Sequence, residues 1–146
     1  MTLSALVPSA EAVAPGCRIL LVEDNEVNRI IATRLLEKHG HQVIAVENGA
    51  LAVDATAGEQ FDLVLMDVQM PVMDGLTATA HIRTREHTTG VHLPIIAVTA
   101  HAMDQDRQRC LDAGMDDYLP KPIRSADLFA MIARFAATSI PQHAAT

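Results

Sequence analysis

Acidic, hydroxyl and amine side chains stand where short apolar segments of this sequence end. Glu23 and Asp24 follow the run RILLV, and Asp67 follows the run LVLM. Thr99 follows the run PIIAV, and Lys121 ends a shorter segment further along the chain. These five side chains are the candidates for chemistry, provided that folding brings the segment ends together.

Clustered carboxylates beside an amine favour phosphoryl chemistry around a cation. Like charges at close range raise a pKa or require a positive ion. Because every acidic ligand is an oxygen, the expected ion is Mg²⁺, which takes carboxylates, waters and phosphate oxygens. The Lys121 amine and the Thr99 hydroxyl suit the oxygens of a phosphoryl group in transfer. Asp67 is a candidate nucleophile, since a carboxylate can form an aspartyl phosphate.

The segments that must position these side chains alternate between predicted strands and predicted helices. Strands are predicted at residues 18–22, 41–46, 62–66 and 94–98, which are short and apolar enough to be covered on both faces. Helices are predicted after Asn25, at residues 48–58, 76–85 and 102–113, and after Ser125. This alternation predicts a parallel sheet with helices on both faces. Ligands bind beyond the carboxyl ends of such strands, so the five side chains should converge there.

The composition fits one soluble domain. The chain has 146 residues, of which 49% are hydrophobic, with one Tyr, three Phe and no Trp. A net charge of −7 argues against direct binding to nucleic acid or an anionic membrane, because both need clustered Lys and Arg. Residues 1–16 and 138–146 are predicted to be flexible ends around a domain at residues 17–137. Cys17 and Cys110 have no metal-ligand spacing and are expected to be free thiols in a cytoplasmic protein.

Some of these residues also have purely structural interpretations. Asp and Asn are preferred helix caps, so Asp24 and Asn25 could do no more than start a helix. Asp74-Gly75 is a common turn pair and is interpreted as a turn without chemistry. Thr99 could be an ordinary hydroxyl at a strand end. The coincidence of acids and a lysine at several strand ends favours the chemical interpretation.

Four motifs occur in order along the chain: LLVEDNEVNR at residues 20–29, LVLMDVQMPVMDG at 63–75, PIIAVTA at 94–100 and DAGMDDYLPKPI at 112–123. With these motifs the chain resembles the response-regulator receiver domains of two-component signalling, most of all those attached to hybrid sensor kinases. The resemblance implies a flavodoxin-like (βα)5 fold, doubly wound, with a five-stranded parallel sheet in the order 2-1-3-4-5.

The resemblance also implies a role for each acidic residue and for the lysine. Asp67 matches the phospho-acceptor, and Lys121 matches the lysine that pairs with the phosphoryl group, usually before a cis proline. Glu23 and Asp24 match the acidic pair that holds Mg²⁺ together with Asp67. The backbone carbonyl of Gln69 is implied as a further metal ligand.

The remaining candidates are implied to act in switching and in the lifetime of the phosphate. Thr99 matches the hydroxyl that moves toward the phosphate, and Tyr118 matches the switch aromatic that follows it. Tyr118 could also be no more than a packed aromatic at the sheet edge. Gln69 and His101 occupy the positions that often tune phosphate lifetime in this family.

The function implied is a phospho-accepting switch in a phosphorelay. The donor would be a histidine kinase or a histidine-phosphotransfer domain, and the downstream protein partner is unknown. The chain would catalyse only its own phosphorylation and dephosphorylation, as a monomer or weak dimer, in the cytoplasm or as the cytoplasmic portion of a membrane-bound hybrid kinase.

Two other functions remain open from the sequence. Haloacid-dehalogenase-type phosphatases also use a strand-end Asp with Mg²⁺, but they need a second Asp two residues later, where this chain has Gln69. The other alternative is a pseudo-receiver that binds partners and never takes phosphate.

Overall fold

A computed structural model describes residues 16–70, 72–100 and 104–145 of the chain, in which five strands alternate with five helices. In chain order they are β1 (Arg18–Val22), α1 (Glu26–Lys38), β2 (Gln42–Val46), α2 (Gly49–Gly58), β3 (Leu63–Asp67), α3 (Gly75–Thr89), β4 (Ile95–Thr99), α4 (Asp104–Asp112), β5 (Asp117–Pro120) and α5 (Ser125–Ala145).

The strands form one parallel sheet in the order β2-β1-β3-β4-β5, which confirms the predicted fold class. Strand order reverses between β1 and β3, and this reversal is the place where ligands bind in such sheets. In the register of the sheet, Val22 of β1 lies opposite Met66 of β3, and Asp67 lies opposite Val98 of β4. The carboxyl ends of the central strands are therefore level with one another.

The apolar strands are explained by a core on each face of the sheet. Alternate residues of β1 point to opposite faces: Ile19 and Leu21 join one core cluster, and Leu20 and Val22 join the other. The first cluster is completed by α1 and α5, and the second by α2, α3 and α4. Because both faces are covered, nearly every position in the central strands must be apolar.

The interpretation of Asp74-Gly75 as a simple turn is wrong. Asp74 is the N-cap of α3, where its Oδ1 accepts a hydrogen bond of 2.8 Å from the Thr77 N–H, and Gly75 is the first helical residue. The helix also runs past its predicted end to Thr89, where Gly90 ends it with a left-handed φ of 75°.

Two predicted strands, at residues 62–66 and 94–98, begin and end one residue too early. Asp67 and Thr99 are the last residues of β3 and β4 and do not merely follow them. The hydrogen bonding between β3 and β4 continues past Asp67, since the Val68 N–H donates to the Val98 carbonyl at 3.1 Å. The two polar residues thus belong to the rigid sheet, which fixes their positions more firmly than a loop would.

The last helix also extends further than the sequence suggests. α5 continues to Ala145, so the backbone of residues 138–145 is helical where a flexible tail is predicted. This segment contains two alanines, which favour a helix, and Pro141, which disfavours a helix interior, so its composition does not predict its conformation. The domain boundaries at residues 17 and 137 stay a prediction. Within the described ranges, every helix is too short or too polar to cross a bilayer.

Candidate functional site

Three carboxylates meet at the carboxyl edge of the sheet. Asp67 ends β3, and Glu23 follows β1, its neighbour in the sheet, so the sheet register places their side chains together. One oxygen each of Glu23, Asp24 and Asp67 lies within 4.8 Å of the other two. Glu23 and Asp67 are buried, with 5% and 4% of their surface exposed, whereas Asp24 is exposed. The predicted acidic cluster is therefore present in the structure.

Lys121 faces this cluster from the loop after β5. Its Nζ lies 2.9 Å from Oδ2 of Asp67 and 3.2 Å from Oε1 of Glu23. The loop is held in place because the Lys121 N–H donates to the Thr99 carbonyl at 2.8 Å. The Lys121-Pro122 peptide bond is cis, as the family resemblance implies. The Lys121 ammonium thus pairs with two of the three carboxylates.

Backbone amides fix the orientation of the two buried acids. The Gln69 N–H donates to Oδ1 of Asp67 at 3.2 Å, and the Asn25 N–H donates to Oε2 of Glu23 at 3.1 Å. Arg29 of α1 donates to the Glu23 carbonyl at 2.9 Å. The cap predicted at Asn25 is confirmed, since its Oδ1 accepts from the Asn28 N–H at 2.9 Å. The contacts of Asn25 and Arg29 with Glu23 had no signal in the sequence, because a backbone contact leaves no pattern of residue types.

The charges in this cluster are out of balance. Burial raises the pKa of the Asp67 carboxyl from 3.8 to about 6, and the Glu23 charge adds to the rise, against the opposing pull of Lys121 and the Gln69 amide. Burial lowers the pKa of the Lys121 ammonium, but its pairs with Asp67 and Glu23 outweigh this effect and raise it. The lysine therefore stays charged without compensating the acids fully. An oxygen-rich cluster whose negative charge is only partly compensated fits a hard divalent cation.

Thr99 and Tyr118 lie on one face of the sheet beside this cluster. Tyr118 of β5 pairs with Ala97 of β4, and Thr99 is two residues further along β4, so its side chain points to the same face. Thr99 is buried, and Tyr118 is half-buried against the core cluster beneath α3 and α4. The proximity agrees with the predicted pair, while the switching role itself stays a prediction.

A cleft of about 330 Å³ opens beside the cluster, between α4 and the start of α3. Its lining comprises Val68, Gln69, Met70, Asp74, Leu76, Thr99, Asp106, Arg109 and Cys110. Gln69 and Thr99 belong to both the cleft and the candidate site, whereas Asp67 and Lys121 do not line the cleft. His101, predicted to tune phosphate lifetime, lies outside the described residues.

The sequence model of the response regulator receiver domain matches residues 19–133. Among curated relatives, the sensor protein GacS of Pseudomonas syringae pv. syringae is 47% identical over 124 residues. The matched region covers 84% of this chain but 14% of that protein. This chain therefore spans a small part of the length of that relative.

Solved structures of high similarity are also receiver domains. One is the receiver domain of a sensor histidine kinase from Pseudomonas aeruginosa PAO1, which was solved with a magnesium ion coordinated in its active site cleft. It matches this chain with a TM-score of 0.75 and 43% identity, and the match covers 82% of this chain and 97% of that chain. Another is the receiver domain of the response regulator Ssk1 of Saccharomyces cerevisiae, which was solved with the histidine phosphotransfer protein Ypd1. This match has a TM-score of 0.81 and 31% identity, and it covers 86% of this chain and 92% of that chain. Sequence, topology and the acidic edge agree, and the chain belongs to the response regulator receiver domain family.

Proposed function

We propose that this receiver domain accepts a phosphoryl group from a phosphohistidine onto Asp67 in a Mg²⁺-dependent reaction. The observation that carries the proposal is the acidic cluster itself. A buried, oriented Asp67 carboxylate lies 2.9 Å from the Lys121 ammonium and within 4.8 Å of two further acids. This arrangement combines a nucleophile, a fixed positive charge and a cation-binding set in one place.

In the proposed reaction, an Oδ atom of Asp67 attacks phosphorus while the bond between phosphorus and the histidine nitrogen breaks. The electron pair of that bond stays on the imidazole, and an acyl phosphate forms on Asp67. Lys121 stabilises the charge on the phosphoryl oxygens, and the Thr99 hydroxyl donates to one of them. Hydrolysis ends the signal when water attacks the same phosphorus and the Asp67 carboxylate leaves.

The residues that would hold Mg²⁺ are Glu23, Asp24, Asp67 and the backbone carbonyl of Gln69. Their oxygen chemistry and the shortage of positive charge at Asp67 fit this ion. When bound, the metal supplies positive charge to the phosphoryl oxygens. The related receiver from Pseudomonas aeruginosa contains magnesium in its active site cleft, which supports the same assignment here.

Phosphorylation would switch partner binding by a shift in population. We propose that Thr99 moves toward the phosphate and that Tyr118 follows, so the face formed by α4, β5 and α5 changes its arrangement. Gln69 and His101 would orient or obstruct the attacking water. Gln69→Ala and His101→Ala should each change the decay rate of the phosphoprotein, and unaltered decay of both would remove these residues from the proposal.

The proposed donor is a histidine kinase or a histidine-phosphotransfer protein, the class of partner bound to Ssk1. Membership of a hybrid histidine kinase, a cytoplasmic location and a monomeric or weakly dimeric state are parts of the same proposal. A domain of this kind acts only on its own Asp67. Initial rates of phosphotransfer from a panel of kinases and histidine-phosphotransfer domains would identify the partner by kinetic preference.

Incubation with acetyl phosphate and Mg²⁺, followed by intact-mass measurement, tests the proposed function. We expect the wild type to gain one phosphoryl group and Asp67→Asn to gain none. A pseudo-receiver would gain no mass under any condition. A phosphatase would instead turn over a generic phosphoester continuously, which the same preparation can be assayed for.

A further inference from the structure

The ring of Tyr118 is covered by an arginine from the neighbouring helix. The guanidinium carbon of Arg107, on α4, lies 5.1 Å from the centroid of the Tyr118 ring. Arg107 is exposed, whereas Tyr118 is half-buried and packs against the core cluster beneath α3 and α4. The contact therefore joins the outer surface of α4 to the aromatic side chain of β5.

The distance and geometry are those of a cation–π interaction. A guanidinium within about 6 Å of an aromatic centroid is attracted by the negative face of the ring. Its delocalised charge is only weakly hydrated, so it gives up little solvation to make this contact. The attraction favours the ring position seen here over any position that carries the ring away from Arg107.

We propose that Arg107 is a positioning residue that holds Tyr118 in the ring position described here, that phosphorylation of Asp67 carries the ring away from this position, and that the contact so sets the balance of the switch. The inference rests on the proposed function, in which Tyr118 changes position when Asp67 is phosphorylated. A contact present in only one of two states shifts their ratio by its own strength. An exposed cation–π contact corresponds to about a two- to five-fold change in such a ratio.

The chain provides a clean probe of this ring. Tyr118 is the only tyrosine, and the chain has no tryptophan, so tyrosine fluorescence reports on this side chain alone. Near-UV circular dichroism in the tyrosine band is similarly dominated by it. Both signals can be recorded on the whole chain without a label.

The comparison uses three variants. Arg107→Gln removes the cation, and Arg107→Lys keeps the charge as a rescue variant. Arg109→Gln is the matched control, because Arg109 lies on the same helix, is exposed, and has Asp106 as its ion-pair partner at 3.9 Å. Both glutamine variants change the net charge equally, so a general electrostatic effect on anion binding would appear in both.

In the unmodified protein, Arg107→Gln should change the tyrosine circular dichroism, while Arg109→Gln should leave it at the wild-type signal. Each protein is then titrated with beryllofluoride, a phosphoryl analogue, in excess Mg²⁺. The beryllofluoride concentration at the midpoint of the Tyr118 fluorescence change should fall about two- to five-fold in Arg107→Gln. Without the guanidinium, less free energy is needed to move the ring out of the position described here. Arg107→Lys should lie between Arg107→Gln and the wild type, because a lysine ammonium keeps the charge but is more strongly hydrated than a guanidinium.

Unchanged dichroism and an unchanged midpoint in Arg107→Gln would overturn the proposal, as would an equal shift in Arg109→Gln. A wild type that gains no phosphoryl group from acetyl phosphate would overturn the proposed function, and the switch with it. A wild type that gains the group without a Tyr118 signal would refute the positioning role alone. The two failures are therefore distinguishable.

Discussion

Gly75→Ala should damage both the stability and the chemistry of this domain. A Cβ at position 75 would lie 2.3 Å from the backbone oxygen of Asp67 and 3.0 Å from Met66 Cγ and Val68 Cα. The Gly75 N–H also donates to the Val68 carbonyl at 2.9 Å, which ties the start of α3 to the end of β3. Because the closest obstacle is backbone, no side-chain rotation can relieve the clash.

The expected magnitude follows from the displacement required. Ordinary contact of a Cβ begins at 3.4 Å, so α3 and β3 must separate by about 1 Å at this point. Overpacking of this kind typically costs about 1–3 kcal/mol in the free energy of unfolding. A misplacement of about 1 Å at a reacting group can slow a reaction by about 100-fold. We expect phosphorylation by acetyl phosphate to slow by up to that factor.

Urea unfolding and the rate of phosphoryl gain by mass spectrometry measure the two effects. Gly58→Ala is the control, because Gly58 ends α2, and a Cβ there would meet nothing within 4 Å. It should phosphorylate at the wild-type rate and be more stable by up to about 1 kcal/mol. If Gly75→Ala matched this control in both assays, the close approach of α3 to β3 would not position Asp67.

Three further predictions concern the same edge of the sheet. In metal-free buffer, the free energy of unfolding of the wild type should fall by about 3 kcal/mol as the pH rises from about 4 through 6. The reason is that the pKa of the Asp67 carboxyl is raised from 3.8 to about 6 in the folded state, so the folded protein binds this proton more tightly than the unfolded chain does. Asp67→Asn should lack this fall. If urea unfolding gave the same pH dependence of the unfolding free energy for the variant and the wild type, the electrostatic account would be contradicted. Asp74→Ala should lose about 1 kcal/mol of unfolding free energy in urea, because the Thr77 N–H loses its cap, and an unchanged midpoint would contradict that role. Val72→Gly should raise the thermal midpoint, since Val72 is a β-branched residue with a left-handed φ of 69°; a lower midpoint would show that the valine side chain contributes more than the strain costs.

The sequence predicts the acidic site well because its signal is local. Each acid stands at the end of an apolar strand, and parallel strands bring their carboxyl ends to one edge whatever the details of packing. The structure accordingly places Glu23, Asp67 and Lys121 in contact. The order of the strands came from family resemblance, since alternation alone allows several orders.

The errors have a different origin, because they depend on contacts between distant segments. Asp-Gly suits a turn and a helix start equally well. In the structure, the cap from Asp74 to the Thr77 N–H and the close approach of Gly75 to the Asp67 backbone identify the helix start. The last residues of α3 are mostly polar and show no repeat of apolar residues at helical spacing, so the sequence pattern did not extend the predicted helix to its observed end. In the structure Glu86 holds this end, since its carboxylate accepts from the Leu93 N–H at 2.8 Å and pairs with Arg83 at 2.8 Å.

The buried polar residues fall into two groups, those with structural hydrogen bonds inside the fold and those that lie at the candidate site. In the described part of the chain five polar residues are buried: Glu23, His41, Asp67, Thr79 and Thr99. His41 accepts a hydrogen bond of 3.0 Å from a backbone amide, and the Thr79 hydroxyl donates at 2.7 Å within its own helix, so both have structural partners. The other three, Glu23, Asp67 and Thr99, lie together at the carboxyl edge of the sheet, where burial raises the pKa of the Asp67 carboxyl. A fold under selection for stability alone would not concentrate buried polar groups at one edge, and the proposed phosphoryl transfer at Asp67 gives a physical reason for keeping them there.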